Sequence, residues 1–351
     1  MKKYLKTTLV AVCSLLLALV IVAGVLFFNE LRSLASIRKL DDYGMLRMRY
    51  YGDYGFDEFL KTGANKDQDI EGFVTKRLLK GLPIDLNVTG AGCTAFAVHD
   101  ENGNMLFGRN FDFRYAPSMQ VFTQPENGYA SVSTVNLSYA GYSKEKLPSG
   151  LNPGSFLALA APFLPFDGMN EKGVAIALLA VPEVQLDFDV QKITLNTTTA
   201  IRLVLDKAAT AEEAVDLLSQ YNIYFSDDTS CHYLIADASG KSVLVEFYAG
   251  KLQAVTSSEK YQVASNFIAY NNLNIGEGYD EFDRYNTVKL AIEQNGGTLS
   301  KDQAVTTLAQ VGVYDEGVDK LQWSVVYDLT DLNGILFAHR NTQNQVAFAL
   351  E

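Results

Sequence analysis

The chain has 351 residues, 48% of them hydrophobic and 20% charged, with a formal net charge of −12. This composition excludes a disordered chain. Residues 93–351 carry 16 basic and 31 acidic side chains, and so acidic a surface is repelled by phosphate backbones, which excludes nucleic-acid binding.

The chain opens on a basic stretch with Lys2, Lys3 and Lys6, then an apolar run from Leu9 to Phe28. Twenty residues at about 1.5 Å each span roughly 30 Å, the thickness of a bilayer's hydrocarbon core. Residues 1–28 are therefore expected to be a membrane anchor crossing through residues 9–28. The leading lysines place everything after Phe28 on the extracytoplasmic side. A removed signal is the alternative, with Ser33-Leu34-Ala35 as the cleavage site, but the run itself ends in Phe27-Phe28-Asn29-Glu30, which suits cleavage poorly.

Residues 29–92 balance ten basic against ten acidic side chains. Leu31, Leu34, Ile37 and Leu40 recur at helical spacing, as do Ile70, Phe73, Val74 and Leu78, and predict a helical prosegment. The Gly- and Tyr-rich stretch from Tyr43 to Gly63 takes no assignment. The segment ends in a turn-prone run, Asn87 to Gly92.

From Cys93 the pattern becomes short strands. Thr94–Val98 leads through Asn102-Gly103, a two-residue hairpin signal, to Met105–Phe107. Further strands are predicted at 130–137, 173–180, 231–237, 241–248, 322–328, 333–339 and 345–350. Many are apolar on successive residues, as in Val174–Ala180, and so are covered on both faces. Helices are predicted at 197–208, 211–220, 283–295 and 300–311, the last opened by a Ser300–Gln303 capping box. Helix pairs between groups of strands fit two mostly antiparallel sheets with helices outside. No linker divides 93–351, so it reads as one domain.

Several chemistries have no signature. There is no phosphate-cradling Gly-Lys-Ser/Thr loop, no His-Glu-x-x-His and no Cys-x-x-Cys. His99, His232 and His339 show no spacing that suggests a zinc site or a Ser-His-Asp triad. No metal and no cofactor are expected. Cys13 lies in the apolar run. Cys231 reads more simply as a buried strand residue than as the partner of a bridge, and its pairing stays open. By itself Cys93 is a small hydrophobe opening a buried strand. If the Gly92–Cys93 bond is cut, the same residue carries a nucleophilic thiol and, as its own base, an α-amine with a pKa of about 8. That combination needs no histidine.

Gly92-Cys93-Thr94 followed by Gly108-Arg109-Asn110-Phe111-Asp112 resembles the start of the choloylglycine hydrolase family, linear amide C–N hydrolases of the N-terminal-nucleophile superfamily. Bile salt hydrolases and penicillin V acylases belong to it, and acid ceramidase-type amidases are relatives. Asp167–Gly173, Ala264-Ser265-Asn266 and Phe282-Asp283-Arg284-Tyr285 match in the family's order.

The resemblance implies an α+β fold, a four-layer αββα sandwich, over 93–351, and a catalytic set of Cys93, Arg109, Asp112, Asn170, Asn266 and Arg284. Asp112 would orient the freed amine, Arg109 would lower the thiol pKa, and Asn170 with Asn266 would donate to the oxyanion. Arg284, a cation near a helix start, suits the helix dipole poorly, which favours a place inside the site. Arg109 and Asp112, three apart on a strand, need a strand end or bulge to share a site. The long segment before Cys93 resembles the acid ceramidase-type relatives, whose cut prosegment stays bound.

The expected protein is thus a membrane-tethered thiol amidase. It cleaves a small amphiphilic N-acyl amide of the bile-salt, penicillin V or N-acylethanolamine kind through a thioester on Cys93. An acyltransferase using the same thioester and an unprocessed surface binding domain are the alternatives.

Overall fold

The computed structural model describes residues 12–15, 17, 18, 22, 24–84, 92–276, 280–315 and 317–350. Two large sheets face each other. One has nine strands, in the order Arg38–Lys39, Met45–Arg49, Ser118–Thr123, Ser131–Asn136, Pro165–Asn170, Ala175–Ala180, Cys231–Ala236, Ser242–Tyr248 and Lys251–Val255. The other has six, in the order Tyr261–Ala264, Gly92–His99, Met105–Asp112, Leu321–Asp328, Asn333–Phe337 and Val346–Ala349. Helices Thr197–Lys207 and Ala211–Ser219 cover the nine-stranded sheet, and Asp280–Gln294 and Lys301–Val311 cover the six-stranded one. This is the expected αββα order.

Alternation along the strands builds two cores. Cys93, Ala95, Ala97, Phe107, Phe111, Trp323, Val325 and Tyr327 pack toward the facing sheet. Their neighbours Phe96, Val98, Leu106 and Val326 pack outward against Val288, Ile292, Val305 and Leu308 of the covering helices. Because successive strand residues point to opposite faces, a strand apolar throughout serves both cores. The helix starts follow the expected cap chemistry. Asn196 with Thr199, and Ser300 with Gln303, form reciprocal capping boxes.

Residues 29–84 depart from a purely helical prosegment. The first helix, Phe28–Ala35, stops short of the expected Leu40 because the Ser36 hydroxyl donates back to the Ser33 carbonyl at 2.6 Å and accepts the Arg49 N–H at 2.9 Å. The chain then turns into strand Arg38–Lys39. Strand Met45–Arg49, in the stretch that took no assignment, pairs in parallel with Ser118–Thr123. Helix Asp67–Arg77 forms where expected. Among the described residues no helix is long and apolar enough to cross a membrane. Of the span expected over residues 9–28, residues 9–11, 16, 19–21 and 23 lie outside the described residues, as does the turn-prone run Asn87 to Gly92 up to residue 91.

The segment is bound into the main core. Met45, Met48, Tyr54, Phe56, Phe59, Ile70 and Val74 are fully or almost fully buried in the large cluster that also takes in helix Thr197–Lys207. Tyr54 reaches furthest. Its hydroxyl lies 2.7 and 2.8 Å from the two carboxylate oxygens of Asp206, and Arg202 Nη1 donates to Tyr54, Thr123, Ser131 and Asp206 at 3.0–3.1 Å. Burial raises the Asp206 pKa to about 6 against the pull of Arg202. Tyr54→Phe leaves that buried carboxylate one donor short. A loss of about 1–3 kcal/mol in the free energy of unfolding is expected in denaturant titrations.

Candidate active site

The site forms where strand Gly92–His99 begins. Its antiparallel partner Met105–Asp112 sets Gly92 opposite Asp112, Cys93 opposite Phe111 and Ala95 opposite Arg109. Cys93 and Arg109 therefore share the face toward the nine-stranded sheet, while Asp112 lies with Gly92 on the helix side. On the other flank, strand Tyr261–Ala264 pairs Ala264 with Ala95. Two more residues along it, Asn266 stands level with Cys93.

Arg109 Nη2 lies 3.7 Å from Cys93 Sγ and donates to the Leu178 carbonyl at 3.3 Å. Leu178 is free to accept because the pairing of its strand with Pro165–Asn170 reaches only Asp167–Ala177. Beyond that point the main chain of Leu178 and Ala180 faces the site. The Ala180 carbonyl accepts from Asn266 Nδ2 at 2.7 Å, and the Ala180 N–H lies against the thiol.

From the helix side, Arg284 of helix Asp280–Gln294 gathers the backbone. Its Nη1 donates to the Cys93 carbonyl at 2.9 Å and to Thr94 Oγ1 at 3.0 Å, and stands 3.5 Å from Asp112 Oδ2. Its Nη2 donates to Asn266 Oδ1 at 2.7 Å. The same Asn266 oxygen accepts the Cys93 N–H, also at 2.7 Å. Asp112 Oδ1 accepts the Val313 N–H at 2.8 Å. Four of the other five expected residues thus surround the Gly92–Cys93 pair.

Electrostatics follow from burial. The Cys93 thiol is fully buried, and burial pushes its pKa up. The Arg109 and Arg284 charges and the Ala180 N–H pull it down, and Asp112 pushes it up again. Burial likewise raises Asp112 to about 6 against the Arg284 charge. Cys231 is a free thiol, not a bridge partner, and burial raises its pKa as well.

Asn170 does not join the site, which corrects the oxyanion role expected for it. Its Nδ2 donates to the Leu205 and Ala208 carbonyls at 3.1 and 2.8 Å, and its Oδ1 accepts the Lys172 and Val174 N–H groups. It closes a turn and satisfies carbonyls at the end of helix Thr197–Lys207, a structural task. From Val174 to Ala180 is six strand residues, about 20 Å at 3.3 Å each.

The residue of that motif which reaches the site is Asp167. Its carboxylate stands 3.3 Å from Arg109 Nε and accepts from Trp323 Nε1 at 2.9 Å and the Tyr327 hydroxyl at 2.7 Å, all fully buried. Asp167 and Asn170, three apart on one strand, point to opposite faces. Alternation alone therefore separates them, but only the packing tells which face looks inward. Ala180 carries no sequence signal, because its contribution is main chain.

A family model for linear amide C–N hydrolases of the choloylglycine hydrolase family matches residues 93–310. The chain is 29% identical over 170 residues to the bile salt hydrolase/transferase of Clostridium perfringens. That alignment covers 46% of this chain and 49% of the relative, so it spans about half the relative's length. The crystal structure of a mutant of the conjugated bile acid hydrolase from Clostridium perfringens superposes with a TM-score of 0.52 at 18% identity, covering 74% of this chain and 92% of that one. The penicillin V acylase from Agrobacterium tumefaciens gives a TM-score of 0.49 at 19% identity, covering 70% and 83%.

Asn170→Ala is expected to lower stability by about 1–3 kcal/mol through the carbonyls it strands. The folded variant should keep kcat within about threefold of the parent. A loss of about 10²–10³ in kcat, the usual cost of an oxyanion donor, would return Asn170 to the reaction.

Proposed function

The chain belongs to the choloylglycine hydrolase family of linear amide C–N hydrolases, and on that premise we propose that it hydrolyses an N-acyl amide through a thioester on Cys93. The observation that carries this reading is that Cys93 has its thiol beside Arg109 and its own nitrogen on Asn266 Oδ1. Cutting the Gly92–Cys93 bond would turn that nitrogen into an α-amine, nucleophile and base in one residue.

Maturation comes first. Cys93 Sγ attacks the Gly92 carbonyl carbon, the C–N bond breaks, and the nitrogen takes up the thiol proton. Water then hydrolyses the Gly92–Cys93 thioester. Arg284 and Ser265 hold the Cys93 carbonyl at 2.9 and 3.3 Å, which fixes the nitrogen's position during attack. Asp112, opposite Gly92, sets a negative charge beside the nitrogen that must be protonated.

Turnover repeats the chemistry on substrate. The thiolate adds to the amide carbonyl, the α-ammonium protonates the departing amine, and water hydrolyses the acyl thioester to a carboxylic acid and free thiol. The oxyanion is met by Asn266 Nδ2, one of whose protons is taken by Ala180, and by Arg109 Nη1. That buried group has no hydrogen-bond partner among the described residues. The relative named for bile salts directs the first substrates to try. A tether through residues 9–28 would keep the enzyme where amphiphilic amides partition. An amine replacing water would make the enzyme an acyltransferase, and added amine separates the two by product.

Residues 29–84 stay bound after the cut, because strand Met45–Arg49 and the Tyr54–Asp206 contact do not depend on the Gly92–Cys93 link.

The mature protein should show a chain beginning at Cys93 by N-terminal sequencing, co-eluting under native conditions with the fragment that ends at Gly92. Cys93→Ala should remain one chain and lose all amide hydrolysis; a processed, active Cys93→Ala protein would reject the mechanism.

Self-cleavage needs Asp112 ionised. Its pKa is raised to about 6, so the rate should fall as pH drops through about 6, by up to tenfold per unit below it. Asp112→Asn should process slowly and lose that acid limb, read by intact mass over time.

A further inference from the structure

A buried polar pair outside the catalytic set stands beside it. His232 and Glu246 each expose 1% of their side chains, and His232 Nδ1 lies 2.9 Å from Glu246 Oε1. They are cross-strand neighbours, one step beyond the Tyr233–Val245 pair. Glu246 is ionised, because its contacts with His232, Ala269 and Tyr270 hold its pKa below the usual carboxylate value against burial. Its Oε1 accepts the Ala269 N–H at 2.9 Å and its Oε2 the Tyr270 N–H at 2.7 Å.

Those two N–H groups begin the short 3-10 turn Tyr270–Asn272, three and four residues after Asn266. On its other strand partner, His232 stands opposite Leu179 and next to Cys231, which stands opposite Ala180. The pair therefore joins the two pieces of backbone that bracket the nucleophile. One carries Ala180, whose carbonyl takes Asn266 Nδ2; the other carries Asn266 itself.

A buried carboxylate with three donors is costly to disturb, and its geometry is narrow. With Glu246 accepting at Nδ1, His232 is the Nδ1–H tautomer in its neutral form. Its Nε2 has no hydrogen-bond partner among the described residues. A histidine kept in a core with one nitrogen unmatched is serving the other nitrogen's contact.

We propose that Glu246 and His232 are positioning residues that set the reach of Asn266 to the Cys93 nitrogen, and so govern both maturation and turnover. The inference rests on the amidase reading for its kinetic test and on geometry alone for its structural one.

The test uses the full chain with Glu246→Gln, His232→Leu and His232→Asn, and a conjugated bile salt as probe. His232→Asn keeps a side-chain N–H near the Nδ1 position. Misplacing a catalytic group by about 1 Å costs about 10²-fold. Glu246→Gln and His232→Leu should lose about 10–100-fold in kcat with KM within about twofold, while His232→Asn recovers to within about threefold of the parent. Crystal structures of the first two should show the 2.7 Å Asn266–Cys93 contact opened beyond hydrogen-bond range. An unchanged contact in both variants overturns the proposal whether or not the probe is cleaved. Equal losses in His232→Leu and His232→Asn, or a loss wholly accounted for by the unfolded fraction, overturn it too. A parent that is processed yet cleaves no amide defeats the amidase reading instead, and the crystallographic comparison still decides this one.

Discussion

Everything at the site depends on keeping a guanidinium inside the protein. Arg109 is fully buried, and removing a cation from water costs several kcal/mol unless its surroundings replace the lost solvation. Asp167 supplies the counter-charge at 3.3 Å, the Leu178 carbonyl takes one N–H, and Phe111 and Trp323 offer ring faces 4.9 and 5.2 Å away. Asp167 is held in turn by Trp323 and Tyr327 from the opposite sheet. One ion pair thus ties the sheets together across their interface and leaves a cation against the sulfur. It is still incompletely matched, since Arg109 Nη1 has no hydrogen-bond partner among the described residues. Unused donor capacity on a buried cation is a poor stability device and a good place for developing negative charge.

The second constraint is where along the strand Cys93 stands. A residue in mid-strand offers its side chain to one face and its main chain to neighbours in the sheet. Cys93, second in its strand, still shows its thiol to the inter-sheet face, while its carbonyl is reached from the helix side by Arg284 and its N–H from the neighbouring strand by Asn266. The residues of the candidate site divide accordingly. Arg109 and Ala180 address the sulfur; Asp112, Arg284 and Asn266 address the backbone on which sulfur and nitrogen are mounted. Arg109 and Asp112 therefore need no bulge between them, because they serve opposite faces. The register shift that does occur lies across from them, between Leu321 and Trp323.

Much of this is legible in the sequence. Apolar runs such as Val174–Ala180 announce strands covered twice, and the Ser300–Gln303 box announces its helix. Five site residues follow from motif order. What stays hidden has physical reasons. Strands Met45–Arg49 and Ser118–Thr123 mix charged or polar residues with apolar ones, so neither period stands out, and their pairing is parallel and distant in sequence. A motif gives neighbours but not the inward face, so Asn170 is expected where Asp167 stands. Ala180 and the Glu246 clamp act through main-chain groups, which no side-chain pattern records.

The placement of residues 29–84 bears on why a cut at Gly92–Cys93 is tolerable at all. A bond can be broken without unfolding a protein if the pieces on both sides keep their partners. Upstream, Met45–Arg49 is an inner member of a nine-stranded sheet, with Arg38–Lys39 on one side and Ser118–Thr123 on the other. Leaving it would open a long strand edge and expose Tyr54, Phe56 and Phe59 together with the charge of Asp206. Downstream, the strand from Cys93 is paired on both flanks and anchored by Arg284. The fold therefore spans the Gly92–Cys93 bond without leaning on it, which leaves that bond free for chemistry.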